Sequence, residues 1–308
     1  MSNDVVVALD VGGTGMKCAL VRPDGAVHHT ERHPTLAARG PEAVTGNILD
    51  IAAGLADRAR ADGLRPVAAG VVVPGVVDEE TGTAVWSSNV GFRDVPLRDL
   101  TSARLGLPAT LGHDVRAGGV AEARLGAGRD ERNVLFIAIG TGIAAAHVVD
   151  GKAFGGAHGA AGEVGHVIVR PGGPPCGCGA RGCLESVASA SAVGRRYVEL
   201  SGIEDVTAFD VATRAAAGEK LANSVWTEAI EAFADGLLTA QALYDAGIVV
   251  LGGGLAEAGE ELLAPLRVAL DARITFHRMP RIVRAALGDT AGCLGAALLA
   301  LDSLGATP

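Results

Sequence analysis

The densest chemistry in this chain lies in residues 163–185. His166, Cys176, Cys178 and Cys183 offer one imidazole and three thiolates. That is a complete tetrahedral set for zinc, with no position left open for a catalytic water. Glycines separate the cysteines, and glycine tolerates the left-handed turns needed to fold three thiols around one ion. The alternative is three cysteines that are merely buried or disulfide-bonded; the spacing together with the upstream histidine favours the metal. A closed site holds structure, so its meaning lies in what it holds. Glu163, His166 and Glu185 sit at its edges, and two carboxylates with an imidazole suit a polyhydroxylated ligand.

Two further motifs speak of phosphate. Asp10-Val-Gly-Gly-Thr-Gly-Met-Lys17 follows a compact apolar run at residues 5–9 and leads at once into another apolar run. A strand, a Gly-Gly-Thr hairpin and a second strand differ from a Walker loop, in which a helix follows. Such a hairpin presents backbone N–H groups and a hydroxyl to phosphate, and Asp10 at the strand end is placed to hold Mg²⁺. An ordinary glycine hairpin is the plain alternative. Gly140-Thr141-Gly142 repeats the arrangement after an apolar run at residues 133–139. Near residue 252, Gly252-Gly253-Gly254 lets backbone approach a ligand closely. Asp114 falls where a short strand gives way to a helix; it either caps that helix or lies where ligands of α/β proteins bind. Asn89 lies in a polar loop, Trp86-Ser-Ser-Asn89, as a ligand contact or a turn residue.

The elements that must position these residues follow from apolar periodicity. Strands are expected at 5–9, 18–21, through 27, at 67–73, 109–111, 133–139, 145–149, 248–251 and 281–283. Helices are expected at 41–61, 97–105, 115–125, 186–200, 208–217 after a Thr207 cap, 219–244, and 290–301, with a further one after Leu255. The sequence strand, Gly/Thr hairpin, strand, Asp-Gly turn occurs twice, which reads as an internal duplication with a cleft between two halves. The domains are expected at 1–114 plus about 290–308, a small α/β domain, and 115–289, a large α/β domain carrying the knuckle at 166–183.

The 308 residues are 49% hydrophobic and 20% charged, with a net charge of −9. That is a globular chain able to bury a full core, and its acidity excludes nucleic acid or an anionic membrane as its main partner. Of the five cysteines, Cys18 and Cys293 read as small buried apolar residues. This usage suits a reducing cytoplasm. No signal peptide is expected, and the apolar run at 291–301 is too short to span a bilayer.

Taken together, these motifs resemble the ROK family of sugar kinases and related repressors, within the actin-like ATPase superfamily. The resemblance runs in family order through the Asp10 hairpin, the Asp114 segment, Gly140–Gly142, the Glu163-x-x-His166 motif with its knuckle and Glu185, and the Gly252 turn. It implies an α/β, actin-like (ribonuclease H-like) duplicated two-domain fold and an ATP-dependent kinase acting on the 6-hydroxyl of a hexose, glucose above others. N-Acetylglucosamine or N-acetylmannosamine is the alternative substrate. Asp114 aligns with the base that takes the proton of the attacking hydroxyl. Asn89, His113, Glu163, His166 and Glu185 align with sugar contacts, His166 serving zinc with one ring nitrogen and sugar with the other. Asp10, Gly12, Gly13, Thr14, Lys17, Gly140, Thr141, Gly142, Gly253 and Gly254 align with the elements for ATP and Mg²⁺. The resemblance also implies a homodimer or homotetramer.

Three departures from the family pattern stand out. His113 occupies the place of the family's usual Asn, Arg116 stands where a small or polar residue is common, and Ala144–Ala146 replace further glycines. A sugar-responsive repressor is disfavoured, since the first strand leaves no room for a DNA-binding domain ahead of it. A catalytically silent sugar sensor is disfavoured by the retention of Asp114, Lys17 and both hairpins.

Overall fold

The computed structural model describes residues 3–305. The chain begins with β1 (Asp4–Val11), β2 (Gly15–Val21) and β3 (Val27–Pro34), a meander whose first strand is buried along nearly its whole length. Helix α1 (Pro41–Ala61) follows, with Pro41 at its first turn, where the missing N–H costs nothing. Its buried stripe of Val44, Ile48, Ile51 and Leu55 recurs at helical spacing. Then come β4 (Arg65–Val73), the short strands β5 (Val76–Asp78), β6 (Thr83–Trp86) and β7 (Arg93–Val95), helix α2 (Leu97–Leu105), β8 (Ala109–His113) and α3 (Asp114–Arg124). The main sheet has the order β3-β2-β1-β4-β8. β2 is antiparallel to both β1 and β3, and β1, β4 and β8 run parallel.

The second half repeats this design. β9 (Asn133–Ile139), β10 (Ile143–Val149) and β11 (Lys152–Ala153) form the meander. After the knuckle come α4 (Leu184–Ala188), α5 (Ala190–Ser201), α6 (Ala208–Ala216) and α7 (Lys220–Tyr244). They are followed by β12 (Ile248–Gly252), α8 (Glu260–Asp271) and β13 (Arg281–Arg284). The order β11-β10-β9-β12-β13 carries the same sequence of antiparallel and parallel pairings. The duplication expected from the two Gly/Thr hairpins is therefore a duplication of whole sheets. The chain ends in α9 (Ala291–Ser303).

Two compact units result. One comprises the chain through Leu125, Gly155–Ala161 and the residues from Asp289 on; the other comprises Gly126–Phe154 and Gly162–Gly288. Each has its own apolar core, the first built on Val5, Leu9, Ile48, Leu55 and Phe92, the second on Ile137, Tyr197, Trp226, Phe233 and Leu266. The first unit runs past Asp114 to the end of α3 because α3 packs on α9. Gly295 makes that approach possible, since a Cβ there would collide with the backbone of Ala117. Within the second unit, the helix expected at 186–200 is two helices. Ser189 adopts an extended conformation between them, and its side chain accepts a hydrogen bond from Ala192 N, capping α5. Thr207 caps α6 in a full capping box with Asp210. No helix among the described residues is long and apolar enough to cross a membrane.

Candidate active site

In the first unit the hairpin between β1 and β2 is closed by Gly12 N donating to Gly15 O at 2.9 Å. Thr35 fastens it from outside: its hydroxyl donates to Gly12 O at 2.6 Å and its N–H to Thr14 O at 3.1 Å. Asn89 lies against this hairpin, for a Cβ on Gly13 would stand 3.3 Å from that of Asn89. Asp10 closes β1, paired in register with Lys17 of β2. The backbone of Gly292, in the first turn of α9, comes so close that a Cβ there would strike the Asp10 carboxylate. Burial, and then the neighbouring Asp114 carboxylate, raise the Asp10 pKa to about 6, against which Lys17 works. Two carboxylates so placed favour a cation or a proton. The hard oxygen donor of Asp10 fits Mg²⁺. Lys17 itself is engaged, its Nζ 3.1 Å from Asp289 Oδ1, while Arg32 pairs with the other oxygen of Asp289.

Asp114 is the first residue of α3. Its Oδ1 accepts from Val115 N at 2.7 Å, and burial raises its pKa although that bond and Arg116 oppose the rise. His113 caps the same helix, its Nδ1 accepting from Arg116 N at 3.4 Å. Burial and the Arg116 charge lower the His113 pKa to about 4, so the ring is neutral at pH 7. The 3.3 Å approach of His113 Nδ1 to Asp114 Oδ1 is accordingly not an ion pair. Arg116 is buried. Its Nε and an Nη donate to Glu79 Oε1 at 3.0 and 2.9 Å, and the other Nη donates to Gly159 O at 2.8 Å. Glu79 Oε1 also accepts from His113 N at 3.3 Å. Sequence reasoning missed Glu79, which lies in an Asp-Glu-Glu-Thr-Gly turn that reads as solvent-facing charge.

In the second unit the Cys₃His group is assembled. The ligand atoms of His166, Cys176, Cys178 and Cys183 all lie within 4.8 Å of one another. Cys176 Sγ is 3.6 Å from His166 Nδ1, and Cys178 Sγ is 3.7 Å from Cys183 Sγ. Tetrahedral zinc with bonds of about 2.3 Å to sulfur and 2.0–2.1 Å to nitrogen requires edges of about 3.8 Å and 3.6 Å. The donor set and its spacing therefore fit zinc. Hydrogen bonding to the Ala180 backbone pulls the Cys178 thiol down, whereas burial pushes the Cys183 thiol up to about 12. Because Nδ1 of His166 faces the thiols, Nε2 is left toward Glu163, whose Oε2 is 3.9 Å away.

Glu185 begins the helix that follows the knuckle and ties it to the second hairpin. Its Oε2 accepts from Ile143 N at 3.0 Å. Gly142 leaves room for that carboxylate, which a Cβ there would push aside. Gly140 N donates to Gly142 O at 2.9 Å. Ala190 N donates to Gly140 O at 2.9 Å, and the Ser191 hydroxyl donates to Thr141 O, so the start of α5 is moulded onto the hairpin. Gly253, at φ 82°, lies against the backbone of Ile139, at the end of β9, with Gly254 following. Thus the second unit gathers Gly140–Gly142, Gly253, Glu185 and the knuckle, while the first gathers Asp10, Gly12–Gly13, Asn89, His113 and Asp114.

The sequence profile of the ROK family matches residues 6–303. The chain belongs to the ROK family. A glucokinase of Thermotoga maritima is 32% identical to it, over 97% of this chain and 98% of the relative. An N-acetylmannosamine kinase of Shigella flexneri is 32% identical over 96% of this chain and 98% of the relative. Among solved structures, a ROK family glucokinase from Streptomyces griseus in complex with glucose and AMPPNP superposes with a TM-score of 0.82 at 28% identity, covering 97% of this chain and 99% of that one. The two five-stranded sheets and the Cys₃His cluster are thus those of a two-lobed, actin-like ROK fold.

Proposed function

We propose that this ROK protein is an ATP-dependent hexose kinase that transfers phosphate to the 6-hydroxyl of glucose. The observation that carries the reading is Asp114, a partly buried carboxylate at the start of a helix whose pKa is raised by its surroundings. A general base tuned toward neutrality suits deprotonation of an alcohol during transfer. Asp114 accepts the proton of the 6-hydroxyl as O6 forms its bond to the γ-phosphorus. The bond from that phosphorus to the bridging oxygen breaks, and ADP leaves with the electron pair. Such a transfer asks for positioning and charge neutralisation more than covalent help.

The other side chains divide the remaining work. Glu163, Glu185 and Nε2 of His166 hold sugar hydroxyls, with Asn89 and His113 adding contacts. Gly12–Thr14, Gly140–Gly142 and Gly253–Gly254 lend backbone to ATP, and Lys17 serves the phosphates. Asp10 would hold Mg²⁺, which when bound neutralises phosphate charge. His166, Cys176, Cys178 and Cys183 would hold zinc, which when bound fixes the loop that carries Glu163 and Glu185. The equal identity to an N-acetylmannosamine kinase supports a second reading, an N-acetylhexosamine kinase.

A coupled ADP-release assay with ATP and Mg²⁺ tests both readings against glucose, mannose, fructose, glucosamine, N-acetylglucosamine and N-acetylmannosamine. The highest kcat/KM is expected on glucose. Preference for an N-acetylated sugar would establish the second reading instead, and no turnover on any member would sink both.

A further inference from the structure

His113 and Arg116 are two of the departures from the family pattern noted in the sequence, and the structure joins them through a third residue, Glu79. The His113 ring has one nitrogen committed: the N–H of Arg116, fixed by the helix, points at Nδ1. A ring nitrogen that accepts an N–H cannot carry a proton itself. Nδ1 is also 3.3 Å from Asp114 Oδ1, an acceptor. A proton on Nδ1 would suit that oxygen, but it would stand head to head with the Arg116 N–H, and Oδ1 already accepts from Val115 N. The Arg116 side chain, only 5% exposed, is held by three hydrogen bonds, two to Glu79 Oε1 and one to Gly159 O. Glu79 Oε1 binds both that guanidinium and the backbone N–H of His113. One carboxylate oxygen thereby fixes the position of the ring and of the charge beside it.

We propose that Arg116 and Glu79 lock His113 as a neutral imidazole protonated only on Nε2, so that His113 is a donor-only, specificity-determining contact to the sugar and Arg116 and Glu79 are its positioning residues. An amide at this place offers both a donor and an acceptor; the locked ring offers a donor alone. Its partner must then present an acceptor oxygen, and the hydrogen on that oxygen must find its acceptor elsewhere. The charged groups facing the ring are Arg116 and Asp114 of its own helix and Glu79 from the turn after β5. Of these, Arg116 opposes protonation of the ring and Glu79 favours it. The proposal rests on the kinase reading for the identity of the ligand, but the lock itself belongs to the protein alone.

Two measurements on the full chain separate these parts. The first is a two-bond ¹H–¹⁵N correlation spectrum of the histidines, with His113 assigned by His113→Gln. The proton is expected on Nε2 at pH 7, and Arg116→Met is expected to move the His113 titration upward while Arg116→Lys restores it. A proton on Nδ1 in the wild type, or a titration unmoved in Arg116→Met, overturns the lock. The second compares deoxy and deoxyfluoro sugars at carbons 2, 3 and 4, since fluorine accepts a hydrogen bond and cannot donate one. At one carbon the fluoro sugar is expected to keep a several-fold higher kcat/KM than the deoxy sugar, and His113→Leu, which has no donor, or Glu79→Gln is expected to shrink that ratio. An unchanged ratio in both variants overturns the donor assignment. If the wild type phosphorylates no sugar at all, the kinase reading fails, while the spectrum still decides the lock.

Discussion

Asp114 and Asp10 are both carboxylates whose surroundings disfavour charge, and each makes a different prediction. Asp114→Asn keeps the shape and the helix start but removes the base, so kcat is expected to fall by about 10²–10⁴-fold while glucose binding by calorimetry is retained. Full turnover in that variant would end the base assignment. Because the Asp114 pKa is raised, the acid limb of kcat/KM is expected above the pH of an ordinary carboxylate; a limb at or below pH 4 would contradict it. Asp10 is best read through stability. Its pKa rises from 3.8 to about 6 on folding, so the folded chain keeps a proton that the unfolded chain releases. Stability from this group is complete below the unfolded value and is lost as pH rises through about 6. Asp10→Asn is therefore expected to melt above the wild type at pH 8 without Mg²⁺. A shift of this size is worth at most about 3 kcal/mol, and the advantage should close toward pH 4. A pH-independent difference between the two melts would refute this account of Asp10.

At the scale of elements, the second hairpin depends on one missing methyl. Gly142→Ala places a Cβ on the Glu185 carboxylate, which must swing away and abandon Ile143 N. The expected cost is about 1–3 kcal/mol, that of losing a hydrogen bond to a charged group, together with a raised KM for sugar; an unchanged melt and KM would show that Glu185 needs no anchoring. How far such elements could be read in advance varied with the kind of signal. Helices α1 and α2 were legible because apolar residues recur at helical spacing between clear breakers. Strands β5–β7 were not, since three or four residues carry too few apolar positions to show alternation. The break between α4 and α5 was hidden because Ser189 sits inside a continuous helical pattern, and the next residue, Ala190, donates its N–H to Gly140 of a hairpin fifty residues away. The knuckle was the most legible part of the site, because four ligands at close spacing satisfy a coordination number locally. The partner of Arg116 was illegible because Glu79 comes from a different element, joined only by the fold.

At the scale of the whole chain, the duplicated sheets leave two units with separate cores, and the Cys₃His group that fits zinc belongs to one of them. The four ligands and the core of Trp226, Phe233 and Leu266 lie in the second unit, whereas the first holds no part of the knuckle. A structural zinc contributes folding energy to the element it closes. Its removal should therefore weaken the second unit selectively, and a chain with two cores need not unfold in one step. The two tryptophans of the sequence report the units separately. Trp226 is 7% exposed in the second unit, and Trp86 is 44% exposed in the first. Trp86→Phe leaves fluorescence from the second unit alone, and Trp226→Phe leaves it from the first. With a zinc chelator, the midpoint reported by Trp226 is expected to fall by roughly 6–12 °C, the shift that a loss of about 3 kcal/mol produces in a unit of this size. The midpoint reported by Trp86 should move much less, and Cys178→Ser should reproduce the difference without chelator. A chelator that moved both midpoints equally would mean that the knuckle stabilises the molecule as a single cooperative body. A chelator that moved neither, with metal analysis showing no zinc in the purified protein, would remove zinc from the site altogether.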